Sequence, residues 1–205
     1  MKVDWKGKLK AAYEFIFVED GPLSIAAFCV VAYVGIRFVF FPLVGLVTGT
    51  SLPIVAVISD SMIHGDSWES NPAFCGGTPC NQTAFYRDYN ISQDRFATFP
   101  FNDGFQKGDV MLVRGKDTYE VGDVIVYEAR GRPPVIHRII NDSGDTFTVK
   151  GDNNPRPIPE IGEFNLAEER IIGSAYARIP FIGWVKLGLV KTLRILQGEE
   201  EIKIS

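Results

Sequence analysis

Apolar residues are concentrated in one block near the start of the chain, where residues 23–47 (LSIAAFCVVAYVGIRFVFFPLVGLV) carry a single charge, Arg37. About 20 apolar residues cross the hydrocarbon core of a bilayer, so the block predicts a transmembrane helix in which Pro42 is tolerated as a kink. A central arginine costs roughly 2.5–3.5 kcal/mol on insertion scales, which the surrounding Leu, Ile, Val and Phe side chains outweigh in sum. A cleaved signal peptide would have a shorter apolar region nearer the start, so this block is expected to stay. Ahead of it, Trp5, Leu9, Ala12, Tyr13, Ile16 and Phe17 recur at helical spacing, with Lys6, Lys8 and Lys10 mostly elsewhere. That pattern predicts an amphipathic lead-in over residues 1–22. Residues 1–22 hold four lysines and residues 48–68 no Lys or Arg. The asymmetry predicts a cytoplasmic N-terminus, with everything after residue 47 outside the cytoplasm.

Beyond the apolar block the pattern changes. Residues 53–58, 109–114, 123–127, 135–140, 146–150 and 170–177 read as strands separated by Gly, Asp and Pro turns, which makes residues 48–178 a β-rich domain. Residues 64–106 interrupt it with a polar, weakly periodic stretch, read as a long insertion with a partner or lid function. In residues 179–196 the three charges Lys186, Lys191 and Arg194 fall on one side of a helix, opposite Val185, Leu189, Leu193 and Leu196. An amphipathic helix lying in the membrane surface fits residues 179–205 better than a second span, which would insert all three charges.

Composition narrows the chemistry. The 205 residues carry 21 basic and 25 acidic side chains, a net charge of −4, with no basic stripe. Nucleic acid is therefore not an expected partner. Two histidines and three cysteines without a CxxC pair do not make a zinc module, and neither a metal nor an organic cofactor is expected. Cys75 and Cys80 bracket a short CGGTPC loop, which outside the cytoplasm favours a local disulfide. N-x-S/T acceptor patterns at Asn81, Asn90 and Asn141 all follow the span.

Three short blocks hold reactive groups. In VAVISDSMIHGDS a strand ends in Ser59-Asp60-Ser61-Met62, about 14 residues past the membrane block, which suits a nucleophile working close to lipid. A serine nucleophile needs a base. The choice lies between His64, close in sequence, and His137, set in the apolar run PPVIHRII, unless a buried lysine such as Lys150 serves. In TVKGDNNPRP a strand ends in a turn bearing Asp152, an acid suited to holding an imidazole tautomer. Singly, Ser61 reads as a turn serine, His137 as a core histidine and Asp152 as a turn former. Their joint occurrence at strand ends after a membrane anchor points to catalysis.

SDSM, the strand pair KGDVMLVRG and VGDVIVYE, then HRI and KGDNN occur in the order found in type I signal peptidases. The chain resembles the archaeal and endoplasmic-reticulum branch of that family over about residues 54–177. The resemblance implies a mainly β catalytic domain of the signal peptidase/LexA kind, with Ser61 as nucleophile, His137 as general base and the Ser61 N–H and Ser59 hydroxyl forming an oxyanion hole. Asp60 stands where the family usually has glycine. Asp152 is the expected acid, with Glu160 in reserve. The implied function is a membrane-bound serine endopeptidase that removes signal peptides from secretory precursors. Its partners would be those precursors, membrane lipid and possible further subunits, at a cell membrane crossed once. Two alternatives stand beside it: a protease of the same fold with one dedicated partner, and a silent membrane-tethered β-domain that binds extended peptides.

Overall fold

The computed structural model describes residues 4–64 and 82–180. The Cys75–Cys80 pairing, the Asn81 sequon and the expected C-terminal helix beyond residue 180 lie outside the described residues. The chain divides into two compact units, with the boundary at Val47/Thr48.

In the first unit, helix α1 (Trp5–Phe17) starts at Asp4, whose carboxylate accepts the Gly7 N–H at 3.1 Å. Pro22 then opens α2 (Pro22–Gly35) at a helical position where its missing N–H costs nothing. A π-helical turn, Ile36–Phe40, joins α2 to α3 (Phe41–Thr48). Pro42 supplies its cause. Its ring crowds the preceding turn and leaves a carbonyl without a donor, and the helix widens so that the Phe41 N–H bonds five residues back, to the Ile36 carbonyl. The continuous helical run Pro22–Thr48 has 27 residues, so at about 1.5 Å per residue it reaches about 40 Å, enough for a bilayer. Its apolar side chains, Leu23, Val30, Phe38 and Leu46 among them, are exposed.

The second unit is mainly β. Among the described residues, seven strands form one antiparallel sheet in the order β1-β2-β7-β3-β4-β5-β6. They are β1 (Ile54–Ala56), β2 (Val110–Arg114), β3 (Val124–Tyr127), β4 (Val135–Asp142), β5 (Thr146–Lys150), β6 (Leu166–Ala167) and β7 (Ile171–Ile179). All six strands expected from the sequence are present, β1 shorter and β4 and β7 longer than expected, while β6 is too short to give a pattern. Strand β3 is buried along its whole length, which is why VIVY shows no polar alternation. Val124 and Val126 pack with Val57, Met62, Met111 and Val113, whereas Ile125 and Tyr127 pack with Ile139, Phe147, Val149 and Leu166. The sheet thus has a core on each face.

The described end of the 64–106 insertion contains two short helices, α4 (Gln82–Asp88) and α5 (Gln93–Ala97). Tyr86, Ile91 and Phe96 pack on Ile140 of β4. Neither helix spans enough turns to show a 3.6-residue period, so the sequence reads as irregular there.

Candidate active site

Strand β1 feeds the nucleophile turn. Val57 stays tied to the sheet through the Asp109 carbonyl at 2.9 Å, and the chain then turns, with the Ile63 N–H bonded to the Asp60 carbonyl at 3.2 Å. Met62, 1% exposed, plugs this turn into the core and leaves Ser61 facing outward. The KGDNN loop clamps the turn from the far side: the Asn153 N–H donates to the Ser61 carbonyl at 2.7 Å and the Asn153 side chain to the Asp60 carbonyl at 2.9 Å. Gly151 explains itself here, because a Cβ at that position would lie 2.8 Å from His137 Nε2 and 2.9 Å from the Ser61 carbonyl oxygen. Only a residue without a side chain lets the loop approach so closely.

His137 stands on β4, paired with Ile125 of β3 and almost completely buried. Its Nε2 lies 2.9 Å from the Ser61 hydroxyl. Ser61 and His137, 76 residues apart in sequence, are brought together. Ser59 also belongs to the group, its hydroxyl 3.2 Å from that of Ser61. No described group hydrogen-bonds to the Ser61 N–H.

The carboxylate beside His137 is a different residue from the one expected. The His137 Nδ1 hydrogen-bonds to Oε1 of Glu163, not to Asp152. Glu163 follows the 3₁₀ turn Pro159–Ile161, where Gly162 takes a positive φ of 80° and swings the chain back toward β5; the Glu163 carbonyl then accepts the Val149 N–H at 2.9 Å. Its carboxylate is fully buried. Oε1 also accepts the Tyr127 hydroxyl at 2.9 Å, and Oε2 accepts the Ile158 N–H. The Tyr127 O–H and the Ile158 N–H thus each donate to one of its oxygens, with the His137 ring nitrogen beside Oε1. Glu160, the reserve candidate, sits exposed in the same 3₁₀ turn. The only sequence signal for Glu163 is an acid directly after a turn glycine, eleven residues past Asp152, and nothing in the strand pattern marks where such a loop returns.

Asp152 faces a separate cluster. Arg138 reaches both of its oxygens, at 3.0 Å and 3.1 Å from Nε and 2.7 Å from a terminal nitrogen, and His64 Nε2 lies 2.7 Å from Oδ2. The remaining Arg138 donors bond the carbonyls of Pro100, Phe101 and Gly122, and its guanidinium lies 4.9 Å from the Phe96 ring centroid. Burial alone would raise the Asp152 carboxyl, but the Arg138 charge, with the His64 and Arg138 hydrogen bonds, overcomes burial and holds it well below the usual carboxylate range. Because His137 and Arg138 are successive residues of one strand, they point to opposite faces, and each face takes its own carboxylate.

Lys150, the alternative base, is on the Arg138 side. Its Nζ bonds the carbonyls of Gly151 and Asp152 and the Tyr86 hydroxyl at 3.0–3.3 Å and lies 4.8 Å from the Tyr86 ring centroid, with no bond to Ser61. Burial pulls its ionisation down to about 7, against the opposing pull of the Asp152 and Glu163 carboxylates.

No protein-family model matches the chain. Among known proteins it is similar to the signal peptidase complex catalytic subunit SEC11 of Komagataella phaffii, 27% identical over 165 residues that cover 73% of this chain and 74% of the relative. The same subunit of Neurospora crassa is 34% identical over 119 residues, 46% of this chain and 69% of the relative. That of Pyrenophora teres f. teres is 36% identical over 120 residues, again 46% and 69%. With the serine and histidine of the SDSM and HRI blocks meeting at one end of the sheet, the chain belongs to the type I signal peptidase family, on the branch of the SEC11 catalytic subunits.

Proposed function

We infer that this protein is a membrane-anchored serine endopeptidase that removes N-terminal signal peptides from secretory precursors. Ser61 is the nucleophile. Its hydroxyl attacks the carbonyl carbon of the scissile bond while His137 Nε2 takes the proton, then returns it to the leaving amine; water resolves the acyl-enzyme by the same route in reverse. Glu163 holds the imidazole with Nδ1 protonated and Nε2 available, and its charge stabilises the imidazolium. The Ser61 N–H and the Ser59 hydroxyl receive the developing oxyanion.

The single observation behind this reading is the chain of contacts from the Ser61 hydroxyl through both nitrogens of His137 to Glu163. Strand β1 lies at the edge of the sheet and leads directly into Ser61, so an extended substrate segment can pair along it, with small residues at the first and third positions before the cut. The Pro22–Thr48 helix would tether the protease to the same membrane in which signal helices lodge, which raises effective concentration. A cytoplasmic N-terminus, an extracytoplasmic catalytic domain at a cell membrane, and further subunits like those named for the relatives belong to the same proposal.

Full-length protein in liposomes should cleave a signal-bearing precursor, whereas Ser61→Ala and His137→Ala should leave it uncut. Cleavage at the wild-type rate by either variant overturns the assignment.

A further inference from the structure

We propose that Tyr127 is a positioning residue of the site: its phenolic O–H anchors the Glu163 oxygen that orients His137. The proposal rests on the active-site reading above and assigns a group which that mechanism does not use. Tyr127 ends β3, and His137 sits diagonally across from it on β4, on the same face of the sheet. The hydroxyl lies 2.9 Å from Glu163 Oε1 and 3.4 Å from His137 Nδ1. With Oε2 held by the Ile158 N–H, each carboxylate oxygen has an anchor besides the imidazole. A glutamate needs this more than an aspartate does, because it has one more rotatable bond between backbone and carboxylate. Without the phenol, among the described residues Ile158 and the imidazole itself would be left to hold the carboxylate against turning about its terminal torsion, and the imidazole's direction toward Ser61 would be less fixed.

Burial first, then the Glu163 charge and hydrogen bond, push the phenol's ionisation well above its ordinary value, with Arg170 opposing. It therefore remains a donor throughout the working pH range. The other charges facing the carboxylate are few: Lys150 from β5, whose ammonium interacts with Glu163, and Arg170 from the turn before β7.

Tyr127→Phe removes one oxygen and keeps the ring. In the full-length protein it should lower kcat by about tenfold while leaving KM within about twofold. The acid limb of the kcat/KM profile should move to higher pH, since a carboxylate no longer shared with the phenol favours the protonated imidazole more strongly. On a Glu163→Gln background the same change should cost less than about twofold, because the anchored oxygen is then already altered. An unshifted pH profile, or an equal loss on both backgrounds, would overturn the role and leave Tyr127 as packing. Ser61→Ala and His137→Ala measured alongside separate the two claims. If they are inactive and Tyr127→Phe matches wild type, Tyr127 alone is misassigned; if they still cleave, the active-site reading fails and takes this proposal with it.

Discussion

The two faces of β4 each place a buried carboxylate against a histidine, and the two pairs differ in what else reaches the acid. On the His137 face, the groups hydrogen-bonded to the Glu163 carboxylate besides the imidazole are, among the described residues, the neutral Tyr127 hydroxyl and Ile158 N–H. On the opposite face Asp152 is gripped by the permanent cation Arg138 before His64 adds its bond. A carboxylate already paired with a guanidinium can brace a loop, but it has little charge left to stabilise an imidazolium. Proximity of an acid to a histidine therefore does not mark a catalytic pair. What sets the His137 pair apart is a carboxylate to which, among the described residues, no Lys or Arg is hydrogen-bonded, together with a second ring nitrogen that reaches the Ser61 hydroxyl.

That contrast is open to attack at three positions. Glu163→Gln should have the largest effect on turnover, a fall in kcat of about 10³–10⁴-fold, because an amide disturbs the tautomer and cannot stabilise the imidazolium. Asp152→Asn should instead act on stability. It leaves Arg138 buried without its counter-charge and should cost about 3–5 kcal/mol of unfolding free energy, read by chemical denaturation. The pH dependence has a definite sign: the depressed Asp152 carboxyl stabilises the fold above the ordinary carboxylate range, and that contribution is lost as pH falls through its depressed value. The gap between wild type and Asp152→Asn should be full at neutral pH and shrink below about pH 4. Gly151→Ala should have the smallest effect, a loss of about 10- to 100-fold in kcat as its methyl pushes on His137 Nε2 and the Ser61 carbonyl. If Gly151→Ala is silent, the close approach of the KGDNN loop does not fix the site.

Much of this architecture is legible in the sequence, for reasons that differ by element. The membrane helix is visible because hydrocarbon tolerates so few charges, and Arg37 is the only one in residues 23–47. The strands are visible because β-branched runs alternate with turn residues. Ser61 and His137 are visible because they end or occupy such strands and because so few histidines compete. The acid is not visible. Asp152 comes two residues after its strand and looks like a partner, yet in the turn there it meets Arg138, while Glu163 arrives by an irregular loop whose return depends on Gly162. The insertion is equally opaque: α4 and α5 are too short to show a period, and what holds them is Tyr86, Ile91 and Phe96 against Ile140, a tertiary choice.

The most direct test of the account is the turnover of Glu163→Gln and Asp152→Asn on one signal-bearing precursor, each expressed per folded molecule. Glu163→Gln should remain folded and lose at least about a thousandfold in kcat, while the folded fraction of Asp152→Asn keeps kcat within about tenfold of wild type. A folded Asp152→Asn that is dead beside a Glu163→Gln that still turns over would reverse the assignment of the two carboxylates.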